Sequence, residues 1–207
     1  MDTNFLLYQK RVEMWELLKI NWMQNITTIT YWGIVTFIIF YYVVWYRLAD
    51  KRRLVDLLLY GSLFTVVRSL IDLAGVTSGL WVYKVRILAL SPSVFLQDWT
   101  IMPLTYMLVQ QYSSNWRQFF LWNAVGTGFI SFVIMPILTN LDILVFMHWN
   151  YIYTFLVMYI AATLMRAAFH LVVQVQEKAR KNEPSPLQRT LMQPSFKPTD
   201  DKETQEP

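Results

Sequence analysis

The chain has no cysteine and only two histidines. Without cysteine there is no disulfide, no thiolate nucleophile, no haem thioether attachment and no cysteine metal site. His148 and His170 flank one apolar stretch, and the helix between them would hold them roughly 33 Å apart. They cannot share a metal, and neither a metal site nor a cofactor is expected. Glycine is scarce at six residues, with no phosphate-binding glycine-rich loop and no HExxH. Charge is sparse too, and the small excess of 18 basic over 14 acidic residues sits beside apolar runs. Membrane topology explains basic residues placed there, so nucleic acid is not an expected partner.

What fills the chain instead is apolar: 55% of its 207 residues are hydrophobic and 16% aromatic, too oily for a soluble domain of this size. The fold class expected is all-α, a polytopic transmembrane bundle with spans at about 26–46, 54–73, 94–112, 118–138 and 149–173. The organisation reads as an interfacial amphipathic helix over 1–24, the bundle over 25–173, and a charged, proline-rich, disordered tail over 174–207. In the first segment Phe5, Val12, Trp15 and Trp22 recur near helical spacing and suggest one apolar stripe. The start lacks a basic, apolar and small-residue succession, so the first span is expected to serve as an uncleaved signal.

The second span is the informative one. Its twelve Leu, Ile, Val and Phe residues favour insertion by roughly 4 to 7 kcal/mol in sum, while Asp56, Arg68 and Asp72 each cost up to about 3 near the helix centre. That helix needs partners for its charges. Arg68 and Asp72 stand four apart, on one face. In the third span, Pro103 cannot bond the carbonyl of Trp99, so a kink with a freed carbonyl is expected beside Asp98. Ala124 with Gly128, and Thr127 with Ser131, make small-xxx-small pairs in the fourth span.

The basic loop Arg47, Lys51, Arg52 and Arg53, with Arg117 and Lys178, favours a cytoplasmic tail and an outer N-terminus. Counting about 1.5 Å per residue then places Arg68, Asp72 and Asp98 at one level in the outer half. Trp81 and Tyr83 in the 74–93 loop and Asn150 at the start of the fifth span lie on the same side. Three readings of this polar cluster follow: a salt-bridge network that fixes packing, a binding pocket or ion path, or a catalytic site. An ion path would continue inward through Asn123 and Asp56. His170, with Arg166 one turn before it, is placed to snorkel to the inner headgroups.

The pieces Asp72-Leu-Ala-Gly75, Gly79-Leu80-Trp81-Val-Tyr83, Asp98 with Pro103, Tyr106-Met107, Gln111-Tyr112 with Trp116, and Trp149-Asn150-Tyr151-Ile-Tyr153 occur in order over about 30–173. Together they resemble an uncharacterised family of small integral membrane proteins from endospore-forming Gram-positive bacteria. The resemblance implies a five-span protein of the bacterial cell membrane, present in sporulating cells, with no established activity. The function expected is a non-enzymatic membrane component that binds a partner, lipid or ion through the outer cluster. A transporter or channel subunit is the alternative, and a lipid- or isoprenoid-modifying enzyme with Asp98 or Asp72 as general acid the second. Expected partners are the lipid bilayer and other membrane proteins or further copies of the chain.

Overall fold

A computed structural model describes residues 2–90 and 96–181, without the side chains of 180 and 181. The prolines of the tail and the expected start of the third span at Val94 lie outside the described residues. Packing divides the chain into one unit of Met1–Phe169 and a second of His170–Pro207, described as helix up to Lys181.

Six helices follow from their end signals. Asp2 caps the first, α1 (Thr3–Asn25), by accepting from the Asn4 amide at 3.1 Å. Thr28 caps α2 (Ile29–Leu48) through its hydroxyl and the Tyr31 amide. A single 3₁₀ turn, Lys51–Arg53, opens α3 (Leu54–Thr77) after Asp50 caps it. A π-turn, Gln97–Ile101, runs into Met102–Gln111, and the two make up α4. The fifth, α5 (Trp116–Asn140), has a π-turn at Ile130–Ile134, and α6 is Tyr151–Lys181.

Among the described residues four helices are long and apolar enough to cross a membrane: α2, α3 with its leading turn, α5, and α6 to Ala179. This makes the protein a helical membrane protein. Helix α1 forms where the sequence predicts a helix, but no single stripe is set apart. Its apolar side chains at positions 5, 6, 7 and 8 go round the whole first turns, and all four are exposed.

Two helix ends use the same device. At the end of α3, Leu80 N donates to Gly75 O at 2.9 Å and Gly79 N to Val76 O at 3.1 Å, with Gly79 at φ 70°. At the end of α5, Ile143 N donates to Leu138 O and Asp142 N to Thr139 O at 2.9 and 3.1 Å, with Asp142 at φ 57°. Both are Schellman caps with a left-handed residue, glycine in one and the tolerated aspartate in the other. Each cap turns the chain into a three-residue strand, β1 (Trp81–Tyr83) and β2 (Leu144–Phe146). The strands pair antiparallel, Trp81 opposite Phe146 and Tyr83 opposite Leu144, and Lys84 reaches Asp142 at 2.6 Å. The expected 74–93 loop therefore opens with the last turn of α3 and carries a strand at Trp81–Tyr83, and the loop before α6 holds a strand the sequence did not announce.

Helix α4 runs antiparallel to α3. Its last residue Gln111 accepts from Asp50 N at 2.8 Å, and its first residues meet Arg68, so α4 covers the stretch of α3 from Arg53 to Asp72. Trp45, Ala49, Leu57, Leu104 and Met107 form an apolar cluster where α2, α3 and α4 meet. The carbonyl that Pro103 frees is met from α2: Tyr42 donates its hydroxyl to Trp99 O at 2.6 Å. Close approach of α4 and α5 falls at Gly126, where an added Cβ would lie 2.9 Å from Val109. The small-xxx-small pairs contribute Thr127 and Ser131, both buried.

Gly75 and Gly33 make a matched test. A Cβ at Gly75 would collide with the Trp81 ring, whereas one at Gly33 would meet nothing within 4 Å. Gly75→Ala should lower unfolding free energy by about 1–3 kcal/mol, and Gly33→Ala should leave it unchanged or raise it by up to about 1. Detergent-titration unfolding of the two variants measures both; equal effects would contradict this packing.

Candidate functional site

Helix α3 presents Arg68 and Asp72 one turn apart, and the π-turn of α4 presents Gln97 and Asp98 to them. The π-turn matters here: its wider winding lets two consecutive residues both turn inward, and Gln97 and Asp98 are both buried. Arg68 Nη2 donates to Gln97 Oε1 at 3.1 Å and to Asp72 Oδ1 at 3.3 Å, and its Nε lies 3.3 Å from Asp98 Oδ1. From the β1–β2 pair, Trp81 Nε1 and the Tyr83 hydroxyl both donate to Asp72 Oδ1, at 2.9 and 2.7 Å. Burial, and next to it the Asp72 carboxylate, hold the Tyr83 phenol well above its ordinary range, so its hydroxyl keeps the proton it donates.

The two acids differ in environment. Asp72, at 0% exposure, has one oxygen that accepts three hydrogen bonds, one from α3 and two from β1. Asp98, also at 0%, faces Arg68 as an ion pair, and neither of its oxygens has a hydrogen-bond donor. Its carboxyl also lies within hydrogen-bonding reach of Asp72. One guanidinium stands against two carboxyl groups, so with both acids ionised the group is left with one negative charge. Arg68, Gln97 and Trp81 also line a half-enclosed cavity of about 20 Å³, with Trp149 and Thr154 on its far wall. That volume suffices for a single water, given the roughly 10–15 Å³ one requires.

Four predicted residues are joined in hydrogen-bonded contact with Asp72 at the centre, Arg68, Trp81, Tyr83 and Asp72 itself, and Asp98 closes the group as an ion pair. Asn150 does something else. It is exposed and caps α6, its Oδ1 accepting from Tyr153 N at 2.9 Å. Its neighbour Trp149 stacks edge-on against Trp81 at 5.1 Å instead. Gln97 was not singled out from the sequence. A neutral amide carries no charge signal, and only its place beside Asp98 could have suggested it.

A second buried cation lies at the other end of α4. Arg166 is 2% exposed, which corrects the expectation that it accompanies His170 to the headgroups. It donates to Gln110 Oε1 at 2.9 Å and to Ser113 O at 3.1 Å, over the Phe119 ring at 4.4 Å. Helix α4 ends inside the bundle, and a cation at its exposed carbonyls meets the negative end of the helix dipole. Between the two cations, Tyr106 shares a hydrogen bond with Thr127, Thr127 donates to Asn123, and Asn123 donates to Tyr159 O and Thr163. Asp56 is exposed and is not part of this chain of bonds.

No family model, curated protein or solved structure matches the chain. Among the described residues no group of three or more His, Cys, Asp or Glu could hold a metal ion.

If Asp72 is the anchor of the hairpin, Asp72→Asn should cost about 2–3 kcal/mol, because a neutral amide replaces the charged acceptor that takes three hydrogen bonds, while Asp98 still faces Arg68. Tyr83→Phe should cost about 1–2, since Asp72 keeps two other donors. Thermal unfolding together with protease cleavage in the 78–90 stretch reads both effects. Equal, small losses would show that the hairpin is held by something else.

Proposed function

We propose that this chain is a five-crossing membrane protein, N-terminus outside and tail in the cytoplasm, that takes up one small cation at the outer cluster. In the simplest case that cation is a proton. The observation that carries this reading is the asymmetry of the acids: one oxygen of Asp72 takes three donors, while neither oxygen of Asp98 has a hydrogen-bond donor and its single tie is the ion pair to Arg68. Burying an uncompensated charge is costly, and one added positive charge balances the group.

The fifth crossing in this reading is α4. Its fifteen helical residues rise only about 22 Å, yet they run beside α3 from Arg53 to Asp72. The basic residues Arg47, Lys51, Arg52 and Arg53 then gather on the cytoplasmic side. Because Arg68 and Asp72 also hold the hairpin, loading the site would alter the grip on β1 and β2. This suits a non-enzymatic component of a bacterial cell membrane, in keeping with the family resemblance. A transporter reading draws support from the buried chain of Tyr106, Thr127, Asn123 and Thr163. An enzyme acting on lipid draws less, since neither Asp98 nor Asp72 lines an apolar cleft of the bundle.

The absence of native cysteine gives clean single-cysteine variants. Cysteine at Ser78 and at Leu141 should react with an impermeant maleimide from outside, and cysteine at Asp50 and at Ser114 only after the membrane is opened. Ser78 and Ser114 labelled from one side would overturn the five crossings. For the site, dye-monitored proton titration and monovalent-cation binding of the protein in vesicles should show about one more cation equivalent per chain than in Asp98→Asn. Equal uptake by the two folded proteins would overturn the cation site.

A further inference from the structure

We propose a second site in the outer half of the bundle, separate from the acid cluster, that holds an anionic phospholipid of the outer leaflet. Two neighbouring hollows form it. An apolar groove of about 420 Å³ opens between α2 and α5, walled by Gly33 and Phe37 on one side, Ile134 and Leu138 on the other, and Ile101 behind. Its size falls within the roughly 300–1,000 Å³ usual for ligand clefts. A polar pocket of about 510 Å³ lies beside it, lined by Asn21, Gln24 and Asn25 of α1 and by Lys84 and Asp142. Thr30 and Leu141 line both. The two hollows are therefore continuous at those residues, apolar on one side and polar on the other.

The groove is bounded at both ends. Toward the membrane centre, Tyr41 bonds Thr105 at 2.6 Å and draws α2 onto α4. Toward the outside, Trp22 and Tyr31 both donate to the Ile87 carbonyl, at 2.9 and 3.2 Å, and tie α1, α2 and the following loop together. Between these ties α2 stands off from α5. The stretch from Ile29 to Phe37 covers about 12 Å of depth, which is the length of chain lying just under the headgroups.

Charge selects the head. Lys84 is matched by Asp142, at 2.6 Å. Arg86 is 8% exposed and donates to Asn21 Oδ1 at 3.0 Å, its Nε has no hydrogen-bond partner, and no carboxylate pairs with it among the described residues. The charges that line the polar pocket, Lys84 and Asp142, cancel, and Arg86, bonded to Asn21 of its wall, adds one positive charge without a carboxylate next to it. An ammonium-free phosphodiester head complements it; a zwitterionic head does so less well. An acyl chain suits the groove because its walls offer no polar partner.

Gly33 provides the test, because it lines the groove and a Cβ added there would meet nothing within 4 Å. The full-length protein in mixed micelles is titrated with dioleoylphosphatidylglycerol, dioleoylphosphatidylcholine, dioleoylglycerol and inorganic phosphate, and binding is read by thermal shift and native mass spectrometry. The wild type should bind phosphatidylglycerol about tenfold or more tightly than phosphatidylcholine, bind dioleoylglycerol more weakly still, and ignore inorganic phosphate. Gly33→Phe should keep its lipid-free melting temperature and lose phosphatidylglycerol binding by about tenfold. Arg86→Gln, should Gly33→Phe prove unfolded, is expected to bring the two phospholipids to parity. Unchanged phosphatidylglycerol binding in the folded Gly33→Phe protein, equal binding of both phospholipids by wild type, or saturation by phosphate alone would overturn the site.

Discussion

A guanidinium enclosed among apolar helices has to be met by acceptors, and Arg68 organises the hairpin end of this protein through that requirement. It is 4% exposed, and it gathers Asp72 from its own helix, Gln97 and Asp98 from α4, and through Asp72 the two hairpin residues Trp81 and Tyr83. Three separate parts of the chain are thus fixed to one cation. In a medium where unsatisfied polar groups cost several kcal/mol each, no single member can leave alone.

The opposite end of α4 repeats the principle with different partners. Arg166 meets the carbonyl end of a helix that stops short, and aromatic faces replace a carboxylate. A brief helix inside a bundle has two ends to satisfy, and this one does so with a π-turn carrying an acid at its start and an arginine from α6 at its finish. The Schellman caps of α3 and α5 close this end of the protein, since each delivers a strand to the same two-stranded cap. That cap in turn places Trp81 and Tyr83 within reach of Asp72.

Much of this was legible from residue order. Four helices long and apolar enough to cross a membrane, the pairing of Arg68 with Asp98, and the freed Trp99 carbonyl all follow from length, rise per residue and the missing proline amide. What escaped depends on tertiary placement. Three-residue strands are too short to show alternation, so Leu144–Phe146 read as loop. Arg166 read as an interfacial residue because only the early end of α4, set by Tyr112 and Ser113, puts it inside. Asn150 read as a member of the cluster because sequence fixes its level and not its direction, and its side chain turns back to cap its own helix. The groove between α2 and α5 was invisible because it arises from how far the two helices stand apart.

The account rests on mutual dependence between Arg68 and the acid across from it in α4. A double-mutant cycle of Arg68→Met and Asp98→Leu, with unfolding free energy measured in detergent, tests that most directly. Arg68→Met should strand buried carboxylates and Asp98→Leu should remove one of the two ion pairs of Arg68, and the double variant should recover a coupling energy above about 1.5 kcal/mol. Strictly additive losses would mean that the two groups stand beside each other without holding the helices together.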